Sequence, residues 1–197
     1  MKPDRKQQIL EVLARELENR PGSRITTAAL AAALGVSEAA LYRHFPSKAR
    51  MFEGLIGFAE DSIFSLLNQV MREQRDAPTR CYHFTLVVLG FAERNPGIAR
   101  VMMGDALVGE HERLRARVSQ LFERLETQFR QVLREEALTD GRASDSQAVT
   151  LRADLLMSVV VGRVERFIRT DFAIAPSQDW ERAWPLVRRA LFDASHA

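Results

Sequence analysis

The chain has one cysteine, four histidines and no apolar run long enough to cross a bilayer, and each shortage removes a class of protein. A lone Cys81 cannot build an intrachain disulfide framework, and it points to a reducing cytoplasm. Cys81 and His83 lie two residues apart, which puts them on different sides of a helix and argues against a shared metal ion. Without ~18 consecutive apolar residues there is no membrane span, and the start, MKPDRKQQIL, has no signal-peptide core. Catalytic signatures are missing too. There is no Gly-rich phosphate loop, no His-Glu-x-x-His and no Gly-x-Ser-x-Gly, and the histidines are scattered at 44, 83, 111 and 196. Neither a catalytic residue, a metal site nor a cofactor is expected. Glu110–Glu112 (Glu-His-Glu) places its members on different helix faces and reads as a solvated helix start.

What is present is helix. Hydrophobic residues make up 46% of the chain and charged ones 27%, ordinary values for a globular protein, and 197 residues suffice for a substantial core. No segment sustains the alternation of a strand, whereas apolar residues recur at three-and-four spacing almost throughout. The expected class is all-α. The formal charge of +2 is unevenly spread. Residues 1–52 hold nine Lys/Arg (2, 5, 6, 15, 20, 24, 43, 48, 50) against five acids (4, 11, 16, 18, 38), leaving the remainder slightly acidic. A basic head on a near-neutral body fits DNA binding.

Residues 26–48, TTAALAAALGVSEAALYRHFPSK, locate that head. Thr26 or Thr27 can cap a first short helix, and Gly35 supplies a tight turn. Ser37 caps a second helix with Ala40, Leu41 and Phe45 turned inward. Alanines let the two helices cross closely and keep the second thin enough for a major groove. This is a helix-turn-helix, and double-stranded DNA is the expected partner. Ser37, Ala39 and Arg43 suit base edges and thymine methyls, while Tyr42, His44 and Lys48 suit phosphates. The plainer alternative makes Tyr42 and Phe45 core aromatics and the charges a solvated face, and Tyr42 and His44 divide evenly between it and phosphate contact. Glu38 either accepts from cytosine N4 or complements the helix dipole.

An amphipathic helix over about 4–19 would complete a three-helix head. A long helix follows from about Ser47 to Glu73, then an apolar helix over 79–93 and a short one reaching Gly104. A coiled-coil-like stripe runs from Leu114 to Val132. Residues 139–147 read as a polar loop. Two closing helices, 148–169 and 178–192, leave apolar residues that a second copy would cover, giving a homodimer whose paired heads read half-sites about 34–36 Å apart. Pro185 either kinks the last helix or marks its start. The division expected is 1–47 for DNA binding and 48–197 for dimerisation and partner binding.

The head, with Leu-Tyr-Arg-His-Phe (41–45) followed by Pro-Ser-Lys (46–48), and the all-helical body resemble the TetR family. Ile-Thr-Thr-Ala (25–28), the run 35–48, Glu-Arg-Asn-Pro-Gly (93–97) and the segments 120–124, 131–135 and 184–186 are similar to one cell-division-inhibiting branch of it. That resemblance implies a cytoplasmic, nucleoid-associated dimer. It would bind chromosomal palindromes, with Thr26, Thr27, Ser37, Glu38, Ala39, Ala40, Tyr42, Arg43, His44 and Lys48 at the DNA. It would also bind the division protein FtsZ and antagonise its polymers. The FtsZ C-terminal tail would lie between the helix from Ser47 and the one ending at Asn95, against Phe58, Val87, Gly90, Arg94 and Asn95. Read from the residues alone, Phe58 and Val87 are core and Arg94 complements a helix C-terminus. Two departures from that branch are Leu66, where it often carries an arginine, and a short basic extension of Lys2, Arg5 and Lys6. A TetR-type repressor with a small-molecule pocket lined by Phe84, Met102, Met103, Phe122 and Phe167 is the alternative.

Overall fold

The computed structural model describes residues 4–20, 24–139 and 146–193. Within them the chain forms nine α-helices and one 3-10 turn: α1 Arg5–Asn19, α2 Thr27–Leu34, α3 Glu38–His44, α4 Lys48–Glu73, α5 Ala77–Arg94, α6 Pro96–Met102, the 3-10 turn Asp105–Leu107, α7 Arg113–Thr139, α8 Ser146–Arg169 and α9 Trp180–Phe192. The all-α expectation is met. Most of the polar loop read at 139–147 lies outside the described residues.

Local chemistry sets several of the boundaries. Thr26 Oγ1 accepts the Ala29 amide at 3.1 Å and Ser37 Oγ accepts that of Ala40 at 3.2 Å, satisfying amides that a helix start leaves unpaired. Gly35, at φ 66° and ψ 35°, ends α2 in the left-handed region. The Val36 and Gly35 amides then close onto Ala31 and Ala32, so a glycine is required here for its backbone. Asp76 Oδ1 accepts from Thr79 at 2.8 Å at the head of α5. Partial burial pushes the Asp76 carboxyl up, yet the Thr79 amide and hydroxyl hold it below its ordinary value. Pro96 opens α6, where a missing amide hydrogen costs nothing. Pro185 lies inside α9, which begins five residues earlier.

The helices segregate into two compact units. The first comprises residues up to Asp61 together with Arg94–Gln120. Ile9, Leu13 and Leu17 of α1, Leu30 of α2, Leu41 of α3, and Met51, Phe52 and Leu55 of α4 form its core with Ile98, Val101 and Met102 of α6. Phe45 is buried with them, as expected. The second comprises Ser62–Glu93 and Leu121–Ala197. Its core holds Phe84 and Leu89 of α5, Leu125 and Phe129 of α7, Leu156, Val160 and Val164 of α8, and Trp180. Phe84 and Phe129 meet edge to face at 5.8 Å, and Arg163 lies over the Trp180 ring while donating to the Pro176 and Gln178 carbonyls.

Candidate nucleic-acid interface and partner surface

In the first unit α3 presents Glu38, Ala39, Tyr42 and Arg43 to solvent while Leu41 points inward at 1% exposure. Ser37 is exposed before it, Ala40 and His44 are half-buried, and Thr26 is exposed at the head of α2. Small side chains at 37 and 39 beside a guanidinium at 43 suit a helix entering a groove. Thr27 ties the two helices together. Its hydroxyl donates to Glu38 Oε2 at 2.6 Å and accepts from the Tyr42 hydroxyl at 3.4 Å. The Glu38 carboxylate is therefore engaged within the head in the free protein, as well as sitting in the first turn of α3.

Lys48 differs from its neighbours. Its ammonium pairs with Glu110, its side chain is only 16% exposed, and it lies 5.6 Å from the centre of the Phe52 ring. Glu110 itself is 8% exposed at the side chain and precedes α7, which starts at Arg113. The reading of 110–112 as a solvated helix start is corrected for this residue, because the carboxylate is buried against cations from distant parts of the sequence. Periodicity could not reveal that, since 62 residues separate Lys48 from Glu110.

The partner-binding candidates fall in different places. Phe58, on α4, is 39% exposed and lines a cleft of about 210 Å³ in the first unit with Asn95, Leu10, Ala14, Leu55 and Ile98. Arg94, exposed at the end of α5, shares a second cleft of about 280 Å³ with Asn95, Glu11, Arg15, Glu18 and Gly97. The α1 residues on these clefts were not singled out by sequence, because α1 reads only as the third helix of a head. Val87 and Gly90 are half-buried on α5 in the second unit. The residues of the alternative small-molecule pocket are core in part: Phe84, Met102 and Phe167 are each at most 3% exposed, while Met103 and Phe122 are half-buried.

Among the described residues no three His, Cys, Asp or Glu side chains gather where they could hold a metal ion. Burial pushes the Cys81 thiol far above its usual range, with Glu136 adding to the shift, so the sulfur is a core atom with little thiolate character. No helix of the described residues is long and apolar enough to cross a membrane.

An exposed second helix of a capped helix-turn-helix, carried by an all-helical body, defines a DNA-binding regulator. Residues 9–55 match the bacterial regulatory proteins of the tetR family, and residues 75–192 match the tetracyclin repressor-like C-terminal domain of the SlmA-like type. The chain belongs to the TetR family, in its SlmA-like branch. It is 54% identical over 184 residues to the nucleoid occlusion factor SlmA of Colwellia psychrerythraea, covering 93% of this chain and 92% of that one. It is 50% identical over 193 residues to SlmA of Shewanella pealeana, covering 98% of both. The fold is also that of the TetR-family transcriptional regulator PfmR of Thermus thermophilus, with a TM-score of 0.74 at 24% identity over 94% of this chain and 98% of that one.

Proposed function

We propose that this chain is a nucleoid occlusion factor: a homodimer that binds palindromic chromosomal DNA and the FtsZ C-terminal tail, and antagonises FtsZ polymers over the nucleoid. The observation that carries this reading is near-full-length identity of about half to SlmA proteins, with the α3 surface intact and exposed. The protein acts by binding, without catalysis.

At the DNA, Ser37, Ala39 and Arg43 meet base edges, while Thr26, Thr27, Tyr42 and His44 hold the backbone. Dimerisation is supported by α8, whose Leu151 and Leu155 are 62% and 42% exposed four residues apart. On the same side, Gly162 has open space where a side chain would stand, so a second helix can approach closely. For FtsZ, the exposed guanidinium of Arg94 supplies charge for an acidic tail and Phe58 an apolar anchor. Occupancy of chromosomal sites would confine the inhibitor to the nucleoid.

Sedimentation of FtsZ polymers formed with GTP tests this reading. Adding the protein with a palindromic duplex is expected to reduce the pelleted FtsZ, and Arg94→Asp is expected to abolish that reduction. An unchanged pellet at every ratio of protein to FtsZ contradicts the proposal.

A further inference from the structure

Two cations that bracket the helix-turn-helix in sequence converge on one carboxylate from a distant loop. Arg24 precedes the α2 cap, and Lys48 follows α3 as the first residue of α4. Lys48 Nζ donates to Glu110 Oε1, and Arg24 Nε lies 3.7 Å from that same oxygen. Arg24 also reaches the Gly109 carbonyl at 3.4 Å. The loop is shaped to deliver the carboxylate. Gly109 turns the chain at φ 75°, and the Glu110 amide bonds back to Leu107 at 3.1 Å. Side-chain exposures of 8% for Glu110, 16% for Lys48 and 70% for Arg24 make this a partly desolvated cluster whose outer member faces water.

From this arrangement we infer that Glu110 is an intramolecular stand-in for a DNA phosphate, competing for Lys48 and Arg24 and thereby setting DNA affinity and its dependence on salt. This rests on the DNA-binding reading above. The chemistry is direct exchange. A carboxylate oxygen and a phosphate oxygen offer a lysine ammonium the same charge-assisted acceptor, so Lys48 must loosen one to engage the other. Arg24, Lys48 and Glu110 together carry one net positive charge, where two unopposed cations would carry two. Association with DNA is driven by release of counterions from the phosphates that cations neutralise, and a cation already neutralised internally contributes less to it. The surface charge thus moderates binding without altering the base-reading face of α3. The Lys48 ammonium also lies near the Phe52 ring, so a neutral residue at 110 leaves that stem supported.

The test is the salt dependence of binding to a mixed-sequence duplex long enough for two heads, followed by fluorescence anisotropy. Glu110→Gln keeps the shape and removes the charge. It is expected to bind several-fold tighter at low salt and to steepen the log–log salt slope by about 0.9, the increment for one further neutralised phosphate. Glu110→Asp, which restores the charge, is expected to return the slope towards the parent value. In a Lys48→Met background, Glu110→Gln should have a smaller effect. Partial unfolding weakens binding, so it does not imitate the tighter binding expected of Glu110→Gln at low salt, and circular dichroism across the salt series checks that the variant stays folded. Equal slopes for parent and Glu110→Gln, or weaker binding by the latter, overturn the inference while leaving DNA binding intact. If neither protein binds the duplex at low salt, the DNA reading falls and this inference with it.

Discussion

Arg100 shows how one side chain can fix a helix end. It is 2% exposed, its Nη1 donates to the carbonyls of Leu17 and Arg20, and its Nε pairs with Asp105. The last carbonyls of α1 have no partner within their own helix, and a buried guanidinium supplies donors at the right place. Arg100→Met would leave those acceptors unsatisfied and Asp105 without its partner. Hydrogen bonds from a charged donor contribute about 1.5–3 kcal/mol, so a loss near 2–3 kcal/mol is expected in urea denaturation. A loss below ~0.5 kcal/mol would contradict the capping role. Nothing in the sequence distinguishes Arg100 from the exposed arginines around it, because the α1 carbonyls it caps lie about eighty residues away. The caps at Thr26 and Ser37 were legible for the opposite reason, since each bonds to an amide three residues on. Arg43 and Ala39 were readable as exposed for a related reason: one short helix has few ways to bury Leu41.

At the scale of elements, the crossing of α1 and α6 depends on having no side chain at one point. A Cβ added at Gly97 would stand 2.0 Å from the Ala14 carbonyl oxygen and 3.1 Å from the Glu18 amide nitrogen, both backbone atoms with no rotamer to change. Gly97→Ala is therefore expected to push the helices apart and cost about 1–3 kcal/mol, the range for overpacking a filled contact, measured by thermal or urea unfolding. A neutral or stabilising result would show that the helices are not held this closely. Gly97 follows the apolar helix read over 79–93, where a glycine is usually explained by its backbone; here the reason is the approach of another helix. Helix positions were readable because the apolar spacing of each element is local. The pairings of α1 with α6, and of the loop before α7 with Lys48, were not, because they join residues brought together only by packing. Pro185 marks the same limit. Its fixed φ suits a helix start as well as a kinked interior, and the structure places it inside α9.

Across the whole chain, packing does not follow sequence order. Residues 94–120 belong with the N-terminal helices, while residues 62–93 belong with the C-terminal ones, so α4 and α7 each contribute to both compact units. Composition alone could not foretell that interleaving. The surface chemistry of the head was more legible, because its basic charge and its helix-turn-helix lie in one continuous stretch. The proposed function joins DNA and FtsZ in one molecule. Fluorescence anisotropy of a labelled FtsZ C-terminal peptide decides whether this protein does, titrated with the protein alone, with a palindromic duplex, and beside Arg94→Asp. Saturable binding by the parent protein is expected, with at least a tenfold loss in the variant, about 1.4 kcal/mol. Absence of binding in every condition, with DNA binding preserved, would overturn the division-inhibitor reading and leave a TetR-type DNA-binding regulator.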